Sequence, residues 1–171
     1  MTQARSVPAS VQASLENPES PDALIWFLTI EHPSLGDPIR LVSDVFDYVV
    51  DGATYIGLPF DARPLNDSDQ PPAAQLVVPN IDRRIGSALE RVTDRAIVAA
   101  VARSTADFDL TVNPRTATGT PGTVYAFSNF ELSDVQCNAM ALTGTVRLID
   151  YAQEPWPWVS ATADRFPGLF A

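Results

Sequence analysis

AAQLVVPNIDRRIGSALERVTDRAIVAAVARS, residues 73–104, holds the change of pattern that decides the fold. Leu76, Val77 and Val78 form an apolar run whose β-branched pair suits a strand, and Pro79-Asn80 ends it and offers Asn80 as a helix cap. Ile81, Ile85, Ala88, Leu89 and Val92 then recur at helical spacing, with Asp82, Arg83, Arg84, Glu90 and Arg91 mostly on the other face. Asp82 in the first turn and Arg91 in the last carry the signs that the helix dipole favours. After Thr93-Asp94, Ile97, Val98 and Val101 read as a second buried strand. A short helix over 81–92, apolar along one stripe, is therefore expected between two strands, covering something built mostly of sheet.

Outward from this stretch, ALIWFLTIEHP from Ala23 is a continuous apolar run ending in Glu31-His32-Pro33, too short for a membrane span, and reads as the first and most buried strand. Ser34 to Pro38 make a turn, after which Ile39, Leu41 and Val45 alternate with Arg40, Ser43 and Asp44 in a strand with one wet face. Asp51-Gly52 between Tyr48–Val50 and Thr54–Ile56 is the strongest hairpin signal, because glycine supplies the positive φ that a tight reversed turn requires. Asn66 to Pro72 lose all periodicity and read as a solvated loop before the central strand.

Beyond Ser104, Phe108, Leu110 and Val112 alternate with Asp107, Asp109 and Thr111 as an exposed strand, and PRTATGTPGT reads as a flexible loop. Two or three strands follow: Val124 to Asn129, Glu131 to Asn138, and Met140 to Asp150 with its alternating Leu142, Val146 and Leu148. The N-terminal arm, 1–22, contains a short helical pattern from Ala9 to Asn17 carrying Val11 and Leu15, and is either disordered or ordered by a neighbour. The division expected is an arm over 1–22, one β-barrel or sandwich domain over 23–153, and an aromatic tail over 154–171.

The tail concentrates large apolar groups, Trp156, Trp158, Phe166, Leu169 and Phe170, on a chain end that ordinarily frays. Leaving them in water costs about 25 cal/mol per Å². Two coverings are open: the tail folds back over a barrel end, or it docks on another subunit. The loop carrying Asp67 and Asp69 is a further candidate for subunit contact.

Composition narrows the function classes. At 171 residues and 46% hydrophobic the chain supports one domain with a real core. The net charge is −10, and all eleven cations are Arg, an absence of Lys that a GC-rich coding bias explains. Such acidity disfavours a phosphate-binding, hence nucleic-acid, surface. Cys137 is the sole cysteine and His32 the sole histidine, too few for a zinc shell or an internal disulfide, and no cofactor or metal is expected. The N-terminal stretch has no signal-peptide core, so synthesis in the cytoplasm is expected.

Catalytic constellations are weak. Asp107 and Asp109 are spaced as a pair, but two apart on a strand they fit a solvated row better than a glycosidase pair. Asn66 to Asp69 resembles the start of a calcium loop without its Gly and distal Glu. Cys137 with His32 lacks a nucleophile signature, and a buried small hydrophobe and a turn-side histidine read better. No enzyme is expected.

The order of LTIEHPSLGDPIRLVSD, the DG-x-x-Y hairpin before LPFDARP, the AAQLVVPNIDRRIGSAL join and the closing FPGLF resembles a family of short tail proteins of long-tailed phages and prophages, whose function is unknown. More remotely it is similar to the minor tail protein L of lambda and to baseplate hub domains. The resemblance implies a β-barrel with a flanking helix, in a virion structural component at the tail tip. Its partners are then further copies in a ring of three or six, the tail tube, the tape measure and hub or tip proteins. A single cysteine means that no iron–sulfur cluster is carried over. The other class considered is a β-sandwich that binds glycan through Trp156 and Trp158, with a cell-wall hydrolase behind both.

If the stripe over 81–92 covers the sheet, Leu89→Ala should lower the unfolding free energy by about 2–5 kcal/mol through a core cavity. A loss below about 0.5 kcal/mol in urea unfolding places Leu89 at the surface.

Overall fold

The computed structural model describes residues 7–60, 73–79 and 95–148, with Arg165 and Gly168. Helix α1 (Ala9–Glu16) is followed by strands β1 (Leu24–Glu31), β2 (Ile39–Val42), β3 (Tyr48–Val50), β4 (Ala53–Gly57), β5 (Ala73–Pro79), β6 (Ala96–Ser104), β7 (Phe108–Asp109), β8 (Arg115–Ala117), β9 (Tyr125–Cys137) and β10 (Ala141–Leu148). The molecule is mainly β. The ten strands among the described residues form one open sheet in the order β5-β10-β9-β6-β1-β2-β4-β3-β8-β7. Neighbours run antiparallel except β2 with β4 and β3 with β8. The expected barrel closure is absent among the described pairings, in which β5 bonds only β10 and β7 only β8.

Strand β1 is buried on both faces, as its unbroken apolar run predicts, and lies inside the sheet between β6 and β2. Leu28 and Ile30 enter a core with Leu41, Val98, Phe130 and Leu142. Ile25 and Phe27 point the other way, into a second core with Val42, Tyr48, Val50 and Phe108. The small sheet β4-β3-β8-β7 is laid over that second face. The Phe27 ring meets the rings of Tyr48, Tyr55 and Phe108 at centroid distances of 5.6, 5.1 and 5.6 Å.

The hairpin forms where Asp51-Gly52 predicts it, with φ of 52° and 77° at the two turn residues. Other expectations are corrected. Strand β5 is the edge of the sheet, not its centre, because β10 and β9 stand between it and β6. Of the apolar residues expected to be buried on β6, only Val98 is; Ile97 and Val101 lie on the opposite face and are half-buried. Strand β2 stops at Val42, and Val45 is exposed. The expected strand over 107–113 shrinks to β7, because the Asp109 carboxylate accepts hydrogen bonds from the Thr111 amide and hydroxyl and turns the chain away. The Thr-rich loop contains β8, which pairs in parallel with β3. Val124 to Asn138 is mostly one bent strand, β9, with positive φ at Asn129 and Asp134 and pairing offsets against β6 and β10.

Over residues 7–22 the arm makes contacts with its own chain. Val11 is buried, and Pro8 lies so close to Gly122 that a Cβ there would sit 3.3 Å from the proline ring. The helix expected over 81–92, the loop with Asp67 and Asp69, and the tail residues Trp156, Trp158, Phe166, Leu169 and Phe170 lie outside the described residues.

Gly57 closes β4 directly beneath the β2–β3 connection, where a Cβ would stand 2.5 Å from both the carbonyl carbon and the oxygen of Phe46. Backbone cannot yield as a side chain does. Gly57→Ala should therefore destabilise by about 2 kcal/mol or more in urea unfolding, whereas Gly36→Ala, with nothing within 4 Å, should stay within about 0.5 kcal/mol.

Candidate assembly surface

The parallel pairing of β3 with β8 brings the connections over 43–47 and 110–114 to the same end of the small sheet. Antiparallel β4 ends there too, at Ile56-Gly57. Aspartates fix this end. Tyr48, fully buried, sends its hydroxyl to Asp44 Oδ2 at 2.6 Å while accepting from Arg115 Nη1 at 2.7 Å. The same Arg115 nitrogen donates to Asp44 Oδ2 at 2.6 Å, which closes a three-membered network. Asp47 Oδ1 accepts from the Gly57 amide and its carbonyl from the Arg115 amide, both at 2.7 Å. Asp109 holds the 110–111 turn.

Electrostatics follow from this packing. Burial pushes the Tyr48 phenol up from 10.0 to about 12, helped by its bond to Asp44 and opposed by Arg115. The Thr111 hydroxyl and amide hold the Asp109 carboxyl below its ordinary range. The Arg115 guanidinium also lies over the Phe46 ring at 4.3 Å, which charge and quadrupole favour.

Around this polar clamp the surface is apolar. Val45 is 71% exposed, Phe46 43%, and Ile56, Leu110 and Val112 are exposed as well. Elsewhere, Met140 and Val135 are exposed on the β9–β10 hairpin. The tip of that hairpin is framed by Asn138 Oδ1, which accepts from the amides of Met140 and Ala141. An open groove of about 410 Å³ lies at the β1–β2 turn, lined by Glu31, His32, Pro33, Leu35, Pro38 and Ile97. His32 Nδ1 accepts from the Ser34 amide there, so the ring closes the turn, as a histidine before Pro33 suggests.

The sequence-derived site residues are not brought together among the described residues. Asp107 accepts from the Gly122 amide and Asp109 from Thr111, so both serve turns rather than form a reactive pair or a solvated row. Cys137 is exposed at the end of β9, not buried. His32 follows β1, and β6 lies between those two strands. Among the described residues no group of three or more His, Cys, Asp or Glu could hold a metal ion, and no helix is long and apolar enough to cross a membrane. The clamp of Asp44, Tyr48 and Arg115 escaped the sequence reading. Its one signal was Arg115 itself, the sole charge between Asp109 and Glu131.

Residues 10–161 match the model of a domain of unknown function, DUF1833. The chain belongs to that family. No curated protein matches the chain.

A phenol held protonated by the fold stabilises it fully below the unfolded pKa and loses that contribution as it ionises. Stability should therefore fall as pH rises from about 10 to 12. In Tyr48→Phe, chemical unfolding across this window should show a shallower decline than in the unchanged protein.

Proposed function

We propose that this protein is a structural component of the tail tip or baseplate of a long-tailed phage. It forms, with further copies, a ring at the end of the tail tube and links the tube to downstream tip proteins. The observation that carries this reading is the end of the small sheet, where five large apolar side chains stand exposed beside the polar clamp of Asp44, Tyr48 and Arg115. A fold does not keep such a patch for its own stability, and contiguous exposed apolar surface marks a contact with another macromolecule. The resemblance of the order of sequence features to that of short phage tail proteins supports the choice of particle. A hub-type role for this open sheet belongs to the same proposal. The acidity fits as well, because carboxylates lining a conduit repel passing DNA.

Cryo-electron microscopy of particles from the phage or prophage encoding this chain tests it. The expected result is density for the chain in a closed ring at the distal end of the tail, with a copy number of three or six. Particles whose tails lack the chain would overturn the proposal.

A further inference from the structure

The apolar end of the small sheet also carries information about what covers it. Of the eleven large hydrophobic side chains exposed among the described residues, five (Val45, Phe46, Ile56, Leu110 and Val112) belong to this one end. Three aspartates stand among them. Among the described residues Asp44 is matched by Arg115, whereas Asp47 and Asp109 meet only neutral donors, the Gly57 amide and the Thr111 amide and hydroxyl. Arg115, the one cation at this end among the described residues, is mostly covered and already paired. The surface therefore combines exposed hydrocarbon with uncompensated negative charge. A second copy, from a chain of net charge −10, would set like charge against like charge.

We propose that this end docks a segment of a different protein, in which apolar side chains are flanked by Arg or Lys. The apolar groups cover Val45, Leu110 and Val112, and the cations reach the carboxylates of Asp47 and Asp109. Both loops are already pinned by side-chain hydrogen bonds, so little ordering accompanies docking. The inference rests on the reading of the protein as an assembly component and names the partner chemistry of that surface.

The test places photoreactive benzoylphenylalanine at Val45 or at Leu110 of the full chain, in cells producing the particle, and identifies the crosslinked segment by mass spectrometry. Both positions should capture the same segment of one other protein, apolar with Arg or Lys beside it. A peptide synthesised with that segment's sequence should bind the purified chain. It should bind Asp47→Asn/Asp109→Asn, which keeps both oxygen acceptors but not the charges, about fivefold more weakly, with the difference fading at high salt. Capture of another copy of this chain, capture of an acidic or uncharged segment, equal peptide binding by the double variant, or no capture at all would overturn the inference. If the chain is in the tail but neither position crosslinks, the docking surface fails and the tail reading stands. If both positions capture a basic-flanked segment and the tails lack the chain, the tail reading fails and the docking surface stands.

Discussion

The structure depends on one strand being buried twice. In β1 the side chains of Ile25 and Phe27 leave one face and those of Leu28 and Ile30 the other, and all four are buried. A strand in an antiparallel sheet commonly has one wet face, so an apolar run without alternation demands cover on both sides. Here β6, β9 and β10 curl around one face, and the small sheet folds over the other. Each fully buried aliphatic or aromatic side chain contributes about 1.5–3 kcal/mol. The position of the small sheet is thus set by the aromatic contacts of Phe27 with Tyr48, Tyr55 and Phe108.

Tyr48 carries that constraint to the surface. Its ring belongs to the second core, and its hydroxyl joins Asp44 and Arg115 at the edge. A buried phenol needs a partner for its hydrogen, and an ionised carboxylate makes a stronger bond than a neutral acceptor, but its own charge, taken partly out of water, has to be balanced. Arg115 provides that balance. The network is only partly covered, so its net contribution to stability is modest. Its larger effect is positional, because it ties 43–47 to β8 and so fixes the loops that carry Val45, Phe46, Leu110 and Val112.

What the sequence discloses here follows the range of the interactions. The Asp51-Gly52 hairpin was legible because its cause lies within two residues of backbone conformation. So was β1, whose run of bulky groups has no other stable place. The short strand β8 was hidden, since nothing in PRTATGTPGT favours a strand locally and its pairing depends on Asp47 and on Asp44, 71 residues away from Arg115. The edge position of β5 was hidden for a related reason: its Leu76 and Val78 face a core while Val77 is exposed, a pattern that an apolar triplet does not reveal. Asn129 concealed the continuity of β9, since a polar residue at positive φ reads as a turn although it bends a strand that runs on; Asp134, also at positive φ, lies within the stretch from Glu131 to Asn138 that already read as a strand. In the sequence, the aromatic residues of the proline-rich tail, outside the described residues, stand out by composition alone. The described surface is instead built of apolar residues from two connections and from the end of β4, which only the fold brings to one end of the small sheet.

That arrangement also explains how an apolar surface and strong acidity coexist in one chain. Five exposed hydrocarbon groups at one end would favour self-association if nothing opposed it. Every free copy, however, bears the same net charge of −10, and Asp47 and Asp109 stand beside the patch itself. Encounter between two copies through this end therefore brings carboxylates together before hydrocarbon can be buried, while a cationic partner is drawn in from a distance of about a Debye length, roughly 8 Å at physiological salt. The carboxylates thus do two things at once. They hold the turns that present the patch, through the amides of Gly57 and Thr111, and their remaining charge selects what may cover it.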